Sequence, residues 1–144
     1  MGKTMRQFLL ASHGRFAEGI YDSLCMVMGK QHNVSTICAY IDPNVDLKQQ
    51  IKVTLEHYTE EEEVIVITDI FGGSINNEFM NVSKDFNIHL ISGLNLPLLI
   101  ELISTQANED STEQWLEQAI ALSNDTIHYC NNRMKLQETS GNDF

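Results

Sequence analysis

Short apolar runs alternate along the chain with segments in which apolar residues recur every three or four positions. Such runs are typical of strands buried on both faces of a parallel sheet, and such spacing is typical of amphipathic helices. Four strands are predicted, and each is followed by a predicted helix: residues 8–11, 33–42, 64–67 and 87–92. The first helix is predicted over residues 16–28, and a fifth helix begins near Asp110 or Ser111.

This order of elements predicts an α/β fold in three layers, with a doubly wound, mainly parallel sheet. Doubly wound sheets commonly have the strand order 2-1-3-4, and we assume this order here. We expect one domain over residues 1–130, in which residues 126–130 (TIHYC) form a short edge strand. Residues 131–144 are polar, and we expect a disordered tail there.

Charge and composition narrow the class of protein. The chain has 144 residues and a formal net charge of −11, which argues against nucleic acid or an anionic membrane surface as a partner. A basic protein surface would instead be attracted, mainly with a gain in association rate. No apolar run approaches the roughly 18 residues of a membrane-spanning helix. We therefore expect no insertion into a membrane.

The three cysteines, Cys25, Cys38 and Cys130, are odd in number and widely spaced. They match neither zinc-binding nor redox spacing, which predicts reduced and mostly buried thiols. The amino-terminal apolar segment is too short for the core of a signal peptide. Together these features predict a cytoplasmic protein.

Three strand ends carry residues suited to chemistry. His13 and Gly14 follow the first strand, Asp69 and a Gly-Gly-Ser turn follow the third, and Gly93 and Asn95 follow the fourth. In the order 2-1-3-4, the first and third strands are neighbours at the point where the order reverses, which is where such sheets bind ligands. We therefore expect His13 and Asp69 to face one crevice.

An acid beside this histidine would give it a defined chemical form. Asp69 can accept a proton from one ring nitrogen of His13 and leave the other nitrogen as a nucleophile. Gly72 and Gly73 allow the backbone to approach an anion closely, and Ser74 can cap the helix whose amino terminus would face that anion. A nucleophile, an orienting acid and an N–H cradle suit phosphoryl transfer better than acyl transfer.

Each of these signals has a simpler interpretation when taken alone. Gly72 and Gly73 can form an ordinary turn, Asp69 can cap a local turn, and Asn95 can cap the next helix. No histidines or acids have the spacing of a metal site, so we expect no metal and no cofactor. The remaining histidines lack a glycine-rich or acidic context and are assigned to structure or surface: His32, His57, His89 and His128.

Three segments, in order and at matching separation, resemble a known family. They are LLASHGRFAEGI (residues 9–20), VIVITDIFGGSINN (residues 64–77) and ISGLNLPLLIEL (residues 91–102). They are similar to the IIA proteins of the mannose–fructose–sorbose family of the bacterial phosphoenolpyruvate-dependent sugar phosphotransferase system. The resemblance covers roughly residues 6–126. One departure is Ile75, where the family frequently has proline, and this departure concerns the rigidity of the loop more than its chemistry.

The resemblance implies a phosphocarrier. His13 aligns with the histidine that takes a phosphoryl group from phospho-HPr and passes it to the IIB subunit, upstream of the membrane subunits IIC and IID. Asp69 aligns with the orienting acid, and Ser74 with a serine that contacts the phosphate beside Gly72 and Gly73. Gly14, Phe71 and Asn95 would form the rim of the site. The family also implies a homodimer that exchanges a carboxy-terminal strand, for which TIHYC is the candidate.

Two other classes of protein have to be weighed. Histidine phosphatases and mutases also place a His-Gly pair after the first strand, but they carry an arginine directly before the histidine. Here Ser12 holds that position and only Arg15 lies nearby. A IIA-like regulatory module, which is phosphorylated as a signal, would have the same site. Phosphotransfer to a cognate IIB subunit distinguishes it from a transport component.

Overall fold

The structure is a computed structural model that describes residues 5–108 and 110–140, the last five by their backbone alone, and it contains a four-stranded, all-parallel sheet. The strand order is β2-β1-β3-β4, as predicted. The strands are β1 (Arg6–His13), β2 (Val34–Ala39), β3 (Glu63–Thr68) and β4 (Ile88–Ser92). The helices are α1 (Phe16–Met28), α2 (Leu47–Glu56), α3 (Ser74–Val82), α4 (Leu96–Thr105), α5 (Thr112–Asn124) and α6 (Cys130–Ser140).

The chain divides into two compact units, one up to Ile100 and one from Glu101 onward. The whole sheet and helices α1–α3 belong to the first unit. In the second unit, Ser111 caps α5 by accepting a hydrogen bond from the Gln114 backbone at 3.2 Å. The buried indole of Trp115 donates to the Thr105 hydroxyl at 2.8 Å, which satisfies its single polar group.

The two central strands, β1 and β3, are buried on both faces of the sheet. Successive side chains of a strand point to opposite faces, and the apolar runs of β1 and β3 are buried throughout. Leu9 and Val66 pack on one face with apolar residues of α2 and α3, such as Phe79. Phe8 and Ile65 are fully buried on the other face, where α1 contacts β1 and β2. Burial on both faces is typical of a parallel sheet.

The helix caps agree with the sequence at α2 and differ at α3. Asp46 caps α2, since its Oδ2 accepts a hydrogen bond from the Gln49 backbone at 3.3 Å. The predicted capping role of Ser74 is wrong, because Gly73 is the N-cap and Ser74 is the first residue of α3. Gly73 has extended backbone angles and no side chain with which to cap. The Ser74 hydroxyl is therefore engaged elsewhere, with Tyr40.

The carboxy-terminal region differs from the prediction. Residues 126–129 form no strand, and Ile127 is 91% exposed. A strand needs a neighbouring strand to bond its backbone groups. The sheet of the described chain consists of β2, β1, β3 and β4, and this segment pairs with none of them. Exchange of this segment between two protomers stays a prediction. Helix α6 replaces the expected disorder up to Ser140, because the segment contains no glycine or proline and several strong helix formers.

Cys25 and Cys38 are only partly buried and Cys130 is exposed, so the expectation of mostly buried thiols is wrong. Cys130 is exposed because it begins α6, a polar helix, rather than ending a strand inside the sheet. Across residues 5–108 and 110–140, no helix is long and apolar enough to cross a membrane. Residues 141–144 of the predicted tail lie outside the described residues.

Candidate functional site

The candidate site lies at the carboxyl ends of β1, β2 and β3. His13 is the last residue of β1 and pairs in register with Ala39, the last residue of β2. The Gly14 backbone then donates to the Ala39 carbonyl at 2.9 Å, and the positive φ of +58° at Gly14 turns the chain toward α1. The imidazole of His13 therefore projects from a rigid strand end and not from a long loop.

The buried hydroxyl of Ser12 fixes the turn from β1 into α1. Its Oγ accepts a hydrogen bond from the Ala17 backbone at 2.7 Å and donates to the Gly14 carbonyl at 3.2 Å. Ala17 lies in the first turn of α1, where backbone N–H groups have no acceptor within the helix. Ser12 thus holds Gly14, which directly follows His13, and the first turn of α1 in place. The sequence reasoning treated Ser12 only as the residue that replaces a phosphatase arginine.

The structure brings His13 and Asp69 together. Oδ2 of Asp69 accepts a hydrogen bond from the His13 backbone at 2.8 Å and lies 2.9 Å from Nδ1 of its ring. The other carboxylate oxygen accepts from the Ile70 backbone at 3.0 Å. The His13 side chain is 42% exposed and that of Asp69 only 10%. The acid is thus held almost out of solvent, and the imidazole faces it.

The electrostatics of this pair decide the form of the imidazole. Burial raises the pKa of Asp69, but the hydrogen bonds from the His13 backbone and ring, together with the charge of the ring, outweigh that effect and lower the pKa below its usual range. Asp69 is therefore a carboxylate at neutral pH and can only accept hydrogen bonds. The proton of a neutral imidazole must then lie on Nδ1, which leaves the lone pair on Nε2.

The glycine turn packs directly against the imidazole. Gly72 has a φ of +77°, which side chains other than glycine adopt with strain. At Gly73, an added Cβ atom would lie 3.4 Å from Cε1 of His13. The amino terminus of α3, with its unpaired N–H groups and positive dipole end, thus begins beside the ring. This arrangement favours an anion next to the imidazole.

Tyr40 is a site residue that the sequence reasoning missed. Its hydroxyl oxygen lies 2.6 Å from Oγ of Ser74, and its ring centroid lies 5.6 Å from that of His13, with the planes tilted by 41°. The sequence placed Tyr40 inside a predicted strand over residues 33–42, whereas β2 ends at Ala39 and Tyr40 follows it. With that boundary known, the rule that selected His13 and Asp69 from their strand ends also selects Tyr40.

The predicted rim residues differ in what they contact. Phe71 is 79% exposed, beside the glycine turn. Asn95 is a helix cap, because its Oδ1 accepts from the Leu98 backbone and its amide donates to the Gly93 carbonyl, both at 2.9 Å. The side chain of Asn95 is therefore occupied within the β4–α4 connection.

A buried polar pair joins β3 to α3 below the site. The Thr68 hydroxyl donates to Oδ1 of Asn76 at 2.9 Å, and both residues are almost fully buried. The Thr68 carbonyl also accepts from the backbones of Gly93 and Leu94, each at 2.9 Å. Thr68 directly precedes Asp69, so this pair fixes the end of β3 relative to α3. No sequence pattern predicts this pair, because Asn76 is an ordinary polar residue in a helical pattern.

The described residues also form a cleft away from this site. A cleft of about 670 Å³ lies at the other end of the sheet, between residues such as Tyr58 and Phe86, and none of its lining residues belongs to the site. Among residues 5–108 and 110–140, no three His, Cys, Asp or Glu side chains are placed to hold a metal ion. An exposed imidazole at a strand end is accessible to another protein as well as to a small molecule.

A protein-family model described as the PTS system fructose IIA component (EIIA-man) matches residues 7–120. The chain belongs to the EIIA-man family. Membership supports a phosphocarrier role in the sugar phosphotransferase system, and it makes the protein a component of a phosphotransferase. This assignment agrees with the resemblance carried by the three segments around His13, Asp69 and Asn95.

Individual EIIA-man relatives show the same correspondence along most of the chain. The fructose-specific EIIA component of Bacillus subtilis is 24% identical over 141 residues, which is 96% of each chain. The sorbose-specific EIIA component of Klebsiella pneumoniae is 32% identical over 99 residues, 68% of this chain and 73% of that protein. A crystal structure from Klebsiella pneumoniae, described as a phosphotransferase system permease, superposes with a TM-score of 0.87 at 42% identity, covering 93% of this chain and 97% of that one.

Proposed function

We propose that the protein accepts a phosphoryl group from phospho-HPr on Nε2 of His13 and passes it to a IIB subunit during sugar uptake. The observation that carries the proposal is the contact of 2.9 Å between Nδ1 of His13 and Oδ2 of Asp69. It accounts for a neutral imidazole whose second nitrogen holds a lone pair. Family membership supports the phosphocarrier role, and the choice of donor, acceptor and site residues is the content of the proposal.

The chemical step is an exchange of one N–P bond for another. The Nε2 lone pair attacks the phosphorus of phospho-HPr, a new N–P bond forms, and the bond to the donor nitrogen breaks with its electron pair returning to the donor ring. His13 becomes cationic as its bond forms, and the adjacent Asp69 carboxylate stabilises that charge. The onward step to IIB reverses this sequence. The chain therefore needs to provide positioning and charge stabilisation more than a strong base.

The glycine turn and the start of α3 would hold the phosphoryl oxygens. Gly73 lies against the imidazole, so a phosphoryl group on Nε2 would be close to the amino terminus of the helix. The N–H groups of the first turn and the positive end of the dipole suit a doubly charged group. The Ser74 hydroxyl would add a further donor. Gly72, Gly73 and Ser74 are proposed as the phosphate-binding residues on this basis.

Partner proteins would dock on the exposed surface around His13. Phe16 begins α1 and Phe71 lies in the connection after β3, and the exposed aromatic side chains of both would contribute apolar contact area. The net charge of −11 would attract a basic face on the donor. Because a bimolecular transfer requires two active sites to meet, an imidazole 42% exposed at the surface is suited to this exchange. IIC and IID would act downstream, and a homodimer is part of the proposal.

Intact mass spectrometry tests the function. The protein is incubated with phosphoenolpyruvate, enzyme I and HPr, beside the variants His13→Ala and His57→Ala. His57 is the matched control, since it is an exposed histidine whose Nδ1 contacts the Val53 carbonyl, outside the site. We expect one acid-labile phosphoryl group on the parent and on His57→Ala, and none on His13→Ala.

The outcomes that contradict the proposal are distinct. A parent protein that gains no phosphoryl group overturns the phosphocarrier function. Equal labelling of the parent and His13→Ala retains the function and moves the site away from His13. Addition of a cognate IIB subunit then tests the onward step, because the label should leave the protein. A label that stays on the protein favours a regulatory module over a transport component.

A further inference from the structure

Tyr40 occupies the space between His13 and Ser74. Its hydroxyl makes the short contact of 2.6 Å with Oγ of Ser74, and its ring lies beside the imidazole at a centroid distance of 5.6 Å. Both contacts join segments far apart in the chain, since Tyr40 follows β2, His13 ends β1 and Ser74 begins α3. One side chain thus connects the nucleophile to a hydroxyl at the amino terminus of the helix.

The backbone of Tyr40 is strained in order to reach this position. It has a φ of +65°, and within residues 5–108 and 110–140 it is the only residue other than glycine with a positive φ. For a bulky side chain this conformation is an outlier, and such outliers cluster at functional sites. The ring gains little from burial in return, because it is 59% exposed. A merely structural role therefore does not explain why a tyrosine stands here.

We propose that Tyr40 is a positioning residue of the phosphotransfer site, which acts by orienting the Ser74 hydroxyl toward the phosphoryl group on His13. The inference rests on the proposed function. Tyr40 is not among the residues carried over from the family resemblance, and Ser74 is the group through which it acts.

The direction of the hydrogen bond follows from the two hydroxyls. A phenol is a better donor than an aliphatic alcohol, so the Tyr40 O–H donates to Oγ of Ser74. The Ser74 proton is then free to donate to an oxygen of the phosphoryl group. A chain of two hydrogen bonds polarises its middle member, which makes Ser74 a stronger donor than it would be alone. No proton is transferred along the chain. The N–P bond still forms at Nε2 of His13.

A double-mutant cycle tests the coupling between the two hydroxyls. The four proteins are the parent, Tyr40→Phe, Ser74→Ala and the double variant. The phosphoryl donor is phosphoramidate, a small molecule that phosphorylates imidazole without a protein partner: Nε2 bonds to phosphorus and ammonia leaves. The rate of phosphorylation at His13 is measured by peptide mass mapping, which separates it from the other histidines. Tyr40→Phe keeps the ring beside His13 and removes only the hydroxyl.

Tyr21→Phe is the matched control. Its hydroxyl also makes a hydrogen bond, to the Gln31 carbonyl at 2.9 Å, but it lies on α1 outside the site. Thermal unfolding of all the variants separates a loss of rate from a loss of folded protein. The same measurements repeated with phospho-HPr as donor show whether the coupling extends to the physiological reaction.

We expect Tyr40→Phe to slow phosphorylation of His13 by about tenfold, the size of one hydrogen bond to a charged group. In the Ser74→Ala background, the same substitution should have no further effect, and Tyr21→Phe should react at the parental rate. A parental rate for Tyr40→Phe overturns the proposal. So do two effects that multiply in the double variant, since Tyr40 would then act independently of Ser74. A parent labelled by phosphoramidate but not by phospho-HPr contradicts the proposed function alone.

Discussion

A single oxygen of Asp69, Oδ2, contacts His13 twice: it accepts a hydrogen bond from the backbone N–H at 2.8 Å and lies 2.9 Å from Nδ1 of the ring. One contact fixes the end of β1 relative to the end of β3, and the other fixes the imidazole. The acid that prepares the nucleophile is therefore also part of what positions it. Substitutions at Asp69 should affect chemistry and stability together, and the two effects can be measured separately.

Replacement of Asp69 by Asn should slow phosphorylation of His13 by roughly 10- to 100-fold, the range for the loss of a charged hydrogen bond. The amide can still accept one hydrogen bond, but it carries no charge to stabilise the cationic ring. The rate is measured by quenched-flow transfer from phospho-HPr, and ¹⁵N NMR of the histidine ring reports the tautomer. Parental kinetics with an unchanged tautomer would mean that Asp69 is structural.

The stability of the parent relative to Asp69→Asn should depend on pH in a defined direction. The folded-state pKa of Asp69 lies below its unfolded value of about 3.9, so the stabilisation from its charge is complete above about pH 5 and is lost as the pH falls through the folded pKa. Urea unfolding of both proteins between pH 7 and pH 2.5 measures the difference. We expect it to stay constant down to about pH 5 and to shrink in more acidic solution. A difference that grew with acidity would contradict the assignment.

Alanine at Gly72 should lower the stability of the fold, whereas alanine at Gly73 should lower the rate of phosphorylation. Gly72→Ala should destabilise the fold by about 1–2 kcal/mol, because its φ of +77° strains an L side chain, although nothing lies within 4 Å of an added Cβ. Gly73→Ala should leave stability almost unchanged, since its φ is −76°. Its methyl group would instead lie against Cε1 of His13 and slow phosphorylation. Urea unfolding and phosphorylation rates of both variants check this contrast. An equal loss of stability in the two variants, or an equal loss of phosphorylation rate, would contradict it.

The buried pair below the site predicts a loss at Asn76. Asn76→Ala removes the acceptor of the Thr68 hydroxyl, and an unsatisfied buried donor costs about 1–3 kcal/mol. The matched control is Asn77→Ala, which changes an exposed asparagine one position along the same helix. The free energy of unfolding should fall for the first variant and stay within about 0.5 kcal/mol for the second. Similar values for both would mean that the hydrogen bond contributes nothing net.

The sequence predicted the parts of this structure that depend on local patterns. Apolar runs located the four strands, and the reversal point of the sheet placed His13 near Asp69. It did not predict the contact between Tyr40 and Ser74, because that contact depends on the left-handed backbone of Tyr40 and on where α3 begins. If α3 began one residue later, Ser74 would be its cap and not its first residue. Sequence patterns do not resolve helix boundaries to a single residue.

Helix α6 shows a different limit. Its segment is polar and its apolar residues do not gather on one face, so periodicity predicts no helix there. The intrinsic preference of its residues for the helical state is the remaining signal, and it is a weak one. The exposed segment before it, residues 126–129, pairs with no strand of the sheet in the described chain. Its conformation depends on contacts that a single sequence does not reveal.

The site is built from the ends of β1, β2 and β3 and the start of α3, between His13 and Ser74 in the sequence. Each of its main contacts joins residues from two different parts of the fold. A fragment that lacks any of these strands therefore lacks the site. Because β1 lies between β2 and β3, loss of the β1–β2 pairing would displace Tyr40 from the imidazole, and loss of the β1–β3 pairing would displace Asp69. The capacity of His13 to take up a phosphoryl group thus becomes a gauge of how much of a sample has both pairings of β1 intact, and it can be read without any spectroscopic label.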